Sequence, residues 1–312
     1  MDTLTASYFE KPRYTFNDEI KAWLRLPKFD NWLWDENELI GLFEVIFVDL
    51  GLVKDFDIPL PTLRKFLNTI RENYNNNPFH NFKHSFCVTQ MMYAIINVSD
   101  LVSKLKPVEK LILTVACIGH DLDHPGYNNA YQVNAKTQLA LIYNDSAPLE
   151  MHHAACLFRI LQNKETDILK NVSESLYRDV RKGIIRCILA TDMAKHGDIL
   201  GQFKKITETF NHDDLEHRAL VTPFFLSDWS TDNIDKAFFN SSFYHWLSSA
   251  PIYQMKLDRL KSPNHGSTVY LKNSLANRTE KRLKDSQQHH LWIVIKLLSQ
   301  MRRLGNSFNR YL

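Results

Sequence analysis

Glycine and cysteine are scarce in this 312-residue chain, with 9 and 4 respectively. So few glycines, set among long segments of apolar periodicity, exclude a turn-rich β architecture and favour an all-α fold. Cys87, Cys117, Cys156 and Cys187 are far apart, and each sits in an apolar helical pattern. That spacing excludes a disulfide framework and a zinc knuckle, and describes reduced, buried thiols of a cytoplasmic protein. Long hydrophobic runs are missing too. The most apolar stretch, residues 39–53, is interrupted by Glu44 and Asp49, so no membrane span is expected. No N-terminal signal pattern is present.

What is there is a soluble globular composition, 44% hydrophobic and 23% charged, with a net charge of +3. That net value hides an asymmetry. Residues 1–221 hold 25 Lys and Arg against 29 Asp and Glu, net −4, whereas residues 222–312 hold 13 against 6, net +7. Serine rises from 7 in the first part to 12 in the second. Two domains are therefore expected: a helical one over 1–221, and a basic, Ser-rich tail over 222–312.

Within the first part the helix signals are explicit. Asp35 followed by Glu38 predicts an N-cap and a helix through about Leu50. Pro61 fits the first turn of a helix whose Leu63, Phe66, Leu67, Ile70 and Tyr74 form one stripe. Asn75-Asn76-Asn77-Pro78 breaks the chain, and a helix from about Asn81 carries Val88, Met91, Met92, Ile95 and Ile96 inward. Pro107 opens the next helix, Pro148 and Glu150 open that of His152 and His153, and residues 180–190 form another. No strand-like alternation competes.

One stretch stands out, His120-Asp121-Leu122-Asp123-His124-Pro125-Gly126, directly after the apolar run 111–118. Ionisable groups beside a core are costly unless paired or bound to metal. Continued as a helix, His120 and His124 share a face with Asp121 about 100° round, and Pro125-Gly126 ends the helix beside a loop. For this pair alone, ordinary hydrogen bonds at a helix end are the competing reading. A second cluster, His80-Asn81-Phe82-Lys83-His84, again spaces two imidazoles by four, predicting one helical face. Together the clusters offer three metal ligands and a spare imidazole, a set suited to zinc or a similar divalent ion.

These two motifs resemble the paired signature of the class I 3′,5′-cyclic-nucleotide phosphodiesterases. The likeness continues through Tyr127-Asn128-Asn129, Tyr143-Asn144-Asp145, Leu149-Glu150-Met151-His152-His153 and Thr191-Asp192-Met193-Ala194-Lys195-His196. Phe79, Trp32-Leu33-Trp34 and Asp49-Leu50-Gly51-Leu52 are most similar to the high-affinity cGMP-specific type nine subfamily. The resemblance covers about residues 14–221 and implies a compact multi-helix metal hydrolase of the His-Asp type, here truncated.

By that resemblance His80 is the catalytic acid that protonates the departing 3′ oxygen. His84, His120 and Asp121 are ligands of a tightly held ion, usually zinc, with Asp121 also reaching a second ion, usually magnesium. Manganese suits the same ligand types. Glu150, His153 and Thr191 match positions that hold metal-bound waters or the bridging hydroxide, and His124 fits a supporting role. A helix cap is the competing reading of Thr191-Asp192, and a partly exposed pair that of His152-His153. The expected partners are a cyclic nucleotide, cGMP ahead of cAMP, and a second copy of the chain in a homodimer. The tail carries no nucleic-acid motif.

The tail departs from the family pattern. Family members continue after the equivalent of Glu216-His217 with a metal-binding Asp roughly fourteen residues beyond that Glu, then a purine-clamping Gln. Here Arg218-Ala219-Leu220-Val221-Thr222-Pro223 follows instead, and nothing after Val221 is matched to the family. Asp228 and Asp232 miss the expected spacing by two residues in opposite directions. Residues 290–304 form a basic amphipathic segment suited to a membrane or partner surface, with a core-facing helix as the alternative. Two functions follow: a cGMP-preferring phosphodiesterase impaired by its tail, or a non-catalytic isoform that binds metal weakly and associates with full-length enzyme. The wider His-Asp phosphohydrolases share the His120-Asp121 logic but not the His80/His84 pair.

Overall fold

The computed structural model describes Phe9, residues 14–99 and 101–206, and Thr209, Asn211, Asp214, Glu216 and His217. The Val221 boundary, Asp228, Asp232 and the 290–304 segment lie outside these residues. Among the described residues every regular element is helical and none is a strand. No helix among them is long and apolar enough to cross a membrane.

The chain opens with α1 (Asp18–Leu24), capped by the Asn17 side chain, and α2 (Glu36–Asp49). The Asp35 and Glu38 side chains close α2 reciprocally, each accepting the other's backbone N–H at 2.9 Å. A short α3 (Leu52–Asp55) leads to α4 (Leu60–Glu72), with Pro59 and Pro61 at its entry. The expected stripe Leu63, Phe66, Leu67, Ile70 and Tyr74 is buried throughout.

Two helices make the centre. In α5 (Phe82–Val98) nearly every side chain from His84 to Ile96 is buried, and in α6 (Pro107–Gly119) burial is continuous from Leu111 to Gly119. A helix apolar all round belongs inside a domain. Each Leu, Ile or Val so buried contributes about 1.5–3 kcal/mol relative to an exposed one, which holds α6 in the core. After the short α7 (Asn129–Asn134) and α8 (Gln138–Ile142) come α9 (Pro148–Leu161), α10 (Glu174–Leu189) and α11 (Met193–Ile206).

Both α9 and α10 lie against α6, and glycine allows the close approach at each. A Cβ on Gly183 would stand 2.5 Å from Ile112 Cδ1, and one on Gly119 would stand 2.8 Å from Leu157 Cδ2. The second approach seats α9 over the C-terminal end of α6. That packing puts two histidine-bearing segments side by side.

Two helix limits differ from the sequence expectation. Helix α6 stops at Gly119, with His120 as its C-cap, rather than running on to Pro125-Gly126. Its last carbonyls are taken by side chains: Ile118 O accepts from Tyr74 Oη at 2.9 Å and Ser85 Oγ at 2.8 Å, and His120 Nδ1 lies 2.8 Å from Cys117 O. Helix α5 starts only at Phe82. Asn81 is in extended backbone and its side chain accepts the His84 N–H at 3.0 Å. His80 and His84 therefore do not share a helical face, and neither do His120 and His124.

Candidate metal and catalytic centre

The end of α6, the start of α5 and the first turns of α9 meet at one place. His84 and His120 bring their Nε2 atoms to 3.2 Å, and Asp121 Oδ2 lies 3.3 Å from the first and 3.1 Å from the second. All three residues are buried. The Nδ1 of His120 points at a carbonyl and therefore carries the proton in the neutral ring, which leaves Nε2 a bare lone pair. That lone pair faces a carboxylate, and neither can donate to the other. Convergence of such acceptors in a buried space is the chemistry of a cation site, so the donor set fits a divalent metal. Burial would raise the Asp121 carboxyl, but positive charge and hydrogen bonding from the His120 and His84 side outweigh it and hold the group well below the ordinary carboxylate range; with both rings neutral, a cation between them has to supply that charge.

His153 continues the pattern. Its Nδ1 sits 2.6 Å from Leu122 O, and its Nε2 is 3.8 Å from Asp121 Oδ1. Burial lowers this ring to about 3. It is neutral, with Nε2 unprotonated and turned to the far side of the carboxylate. His124 behaves differently although its ligand atom lies within 4.8 Å of those of Asp121 and His153. Burial lowers it to about 4, and its Nδ1 accepts the Gly126 N–H at 3.0 Å. The neutral ring must then present Nε2–H, a donor. Gly126 is at φ +86°, with Asn77 Oδ1 3.3 Å from where a Cβ would stand, so this loop requires glycine.

His80 occupies the rim, half-buried. Its ring stacks on His124 at 4.0 Å and 17° and meets His84 edge-on at 5.7 Å. Glu150 is buried at the start of α9, where burial pushes its carboxyl up against the opposing Asn129 hydrogen bonds. Asn129 Nδ2 donates to both carboxylate oxygens, at 3.1 and 2.9 Å, while its own Oδ1 accepts Leu149 N–H at 3.1 Å. Of the residues singled out from sequence, His80, His84, His120, Asp121, His124 and His153 are thus drawn into one cluster. Glu150 stands beside it. Thr191 spends its hydroxyl on Ile188 O at 2.7 Å, and Asp192 Oδ1 accepts Ala194 N–H at 3.1 Å, capping α11.

Sequence reading missed the supports. Asn129 fixes Glu150. Tyr74 Oη, besides donating to Ile118 O, accepts Asp121 N–H at 3.3 Å. Asn75 and Asn77 both donate to His124 O, at 3.1 and 2.6 Å, and Asn77 also donates to His80 O at 3.2 Å. The segment read only as a chain break ties the His80 loop to the His124 loop. Its signal was an unusual run of asparagines before the first histidine.

Residues 79–240 match the family model described as 3′5′-cyclic nucleotide phosphodiesterase. The match runs past Val221 and takes in Asp228 and Asp232, which corrects the expectation that nothing beyond Val221 is matched to the family. The chain is 53% identical over 66% of its length to the Drosophila melanogaster high affinity cGMP-specific 3′,5′-cyclic phosphodiesterase 9A, and 49% identical over 67% to the Mus musculus protein of that name. It spans 14% and 39% of the lengths of those relatives. Against the Dictyostelium discoideum 3′,5′-cyclic-nucleotide phosphodiesterase regA it is 30% identical over 93% of its own length and 39% of the relative's. Among solved structures, the phosphodiesterase domain of a RhoPDE fusion protein from Salpingoeca rosetta superposes with a TM-score of 0.65 at 28% identity, covering 76% of each chain.

Proposed function

Since this chain belongs to the 3′5′-cyclic nucleotide phosphodiesterase family, we propose that it hydrolyses cyclic nucleotides to 5′-monophosphates, with cGMP preferred over cAMP. The observation that carries the reading is the convergence of His84, His120 and Asp121 on one point, with His80 stacked at the rim. The preference for cGMP is supported by the cGMP-specific relatives at about half identity.

His84, His120 and Asp121 would hold a divalent ion, zinc by ligand type, with Asp121 shared toward a second, magnesium or manganese. Ions held there supply Lewis acidity, neutralising phosphate charge and lowering the pKa of the attacking water. The chain's own residues do the rest. Water loses a proton to solvent and its hydroxide adds to phosphorus as the P–O3′ bond breaks, while the His80 imidazolium gives its proton to the departing O3′ and regains one from solvent for the next turnover. The neutral His124 ring behind His80 offers stacking without positive charge, so it does not strip that proton by repulsion. His153 Nε2 and the Glu150 carboxylate accept hydrogen bonds from solvent in the centre and orient it. Reduced thiols fit a cytoplasmic setting.

The test is hydrolysis of cGMP and cAMP by the full chain with zinc and magnesium, beside His80→Ala and metal analysis of both. Turnover that falls about 10²–10⁴-fold in the variant, with metal retained, is expected of a lost acid. A metal-loaded chain without turnover overturns the catalytic reading and leaves a metal-binding isoform. Equal loss of metal and activity removes His80 from the acid role. If turnover is found, Asp228→Ala and Asp232→Ala ask whether either acts as the further ligand.

A further inference from the structure

Beyond the buried centre, three more ligating groups converge at its outer edge, and we propose that Asp123, His152 and Cys156 form a separate site for a soft divalent cation of the zinc class. Their side-chain donor atoms all lie within 4.8 Å of one another. His152 and Cys156 stand one turn apart on α9, hence on one face. Asp123 comes from the loop after α6, in left-handed backbone at φ 57°. Its Oδ2 lies 2.8 Å from His152 Nε2, and Cys156 Sγ lies 3.4 Å from the same nitrogen.

That shared nitrogen decides between two chemistries. In a nucleophilic triad the base meets the nucleophile through one ring nitrogen and its orienting carboxylate through the other. Here carboxylate and thiol both approach Nε2, with Sγ farther from Nδ1 at 4.0 Å. Burial and the Asp123 charge also raise the Cys156 thiol, with Arg159 acting weakly the other way, the reverse of an activated nucleophile. Three donors gathered about a point are instead the arrangement of a metal site. Tetrahedral zinc with ordinary bond lengths sets N···O and N···S separations of about 3.3 and 3.6 Å. The protein is within about half an ångström of both.

Ligand type sets the selectivity. A thiolate beside imidazole and carboxylate favours zinc or cadmium over magnesium. Binding replaces the thiol proton, Cys–SH and M²⁺ giving the metal thiolate and one H⁺ released to the buffer. Asp123 is half exposed and the His152 side chain only 15% exposed, so a cation enters from the Asp123 side and solvent completes its coordination. Asn75 Nδ2 donates to Asp123 Oδ1 at 3.0 Å, leaving Oδ2 to face inward. The site does not depend on the hydrolytic reading.

Cadmium alone is the probe. Titrating the full chain with Cd²⁺ at neutral pH should raise one thiolate-to-cadmium charge-transfer band in the near ultraviolet and release one proton per equivalent. The band should vanish in Cys156→Ala and in His152→Ala, and persist in His84→Ala, which removes an inner ligand on α5 and leaves the α6 end and the Asp123 loop in place. No band in the unmodified chain, a band surviving Cys156→Ala, or one lost in His84→Ala would each overturn the proposal. Cys156→Ser, which keeps the volume of the thiol, gives the same reading if Cys156→Ala unfolds.

Discussion

Two groups of ligating side chains adjoin at Asp121 and Asp123, two residues apart in one loop, and they are built on opposite plans. In the inner one, His84, His120 and Asp121 are buried, and the His120 ring is held from behind by the Cys117 carbonyl. In the outer one, an exposed carboxylate meets a half-buried imidazole and a buried thiol. The inner group has its tautomer and ring orientation set before any ion arrives, and low dielectric strengthens whatever it binds. The outer group depends on a thiol that must first give up a proton. Preorganisation therefore separates them more than ligand count does.

The largest expected break in that contrast is His120→Ala. It removes the central inner ligand, so metal content of the inner centre and cGMP turnover should both be lost, by more than the about 10²–10⁴-fold of a missing acid. Metal analysis and rates measured together check this, and a variant that keeps turnover would remove His120 from the ligand set.

Acid should weaken the inner surroundings next. The His124 ring is lowered to about 4 and His153 to about 3, both below an ordinary histidine near 6.5. The unfolded chain then binds more protons than the folded one as pH falls below about 6.5. Stability is full above that value and declines toward about pH 4, where His124 itself protonates. At about 1.4 kcal/mol per unit the His124 share is on the order of 3 kcal/mol. Melting of chelator-treated protein at about pH 7.5 and about pH 4.5 should show a falling Tm. His124→Asn, whose Oδ1 can keep the Gly126 contact, should flatten the fall. An unchanged slope would locate the acid sensitivity elsewhere.

A smaller effect sharpens the inner plan alone. Asn129→Ala frees Glu150 from its clamp and should cost about 10–100-fold in activity or metal affinity, with the outer cadmium band unaltered. Rates no different from the parent would mean that Glu150 needs no orientation.

Much of this was readable from residues. Asp35 with Glu38, Pro61, Pro107 and Pro148 each marked a helix entry that the fold contains, because capping chemistry is local. The inner ligands declared themselves as charge beside the apolar run 111–118. Helix limits at the site were not readable from spacing. An interval of four fits a helical face, but His80 and His124 lie outside their helices because Asn81, Tyr74 and Ser85, from neighbouring positions or other helices, satisfy the backbone there. Supporting amides were hidden for the same reason: what Asn75, Asn77 and Asn129 do depends on which carbonyl or carboxylate the fold sets before them. Cys156 read as inert because its partner Asp123 comes from the far side of a loop.

The stop of α6 has one more consequence. Its terminal carbonyls, which a helix ordinarily leaves to solvent, are occupied by His120, Tyr74 and Ser85, so the bonds that close the helix also aim the ligands. Fraying of that last turn and misalignment of the centre are then a single event. Amide hydrogen exchange at residues 118–124 should slow when the inner centre takes up metal, and the exchange rate becomes a clock for how often the site comes apart.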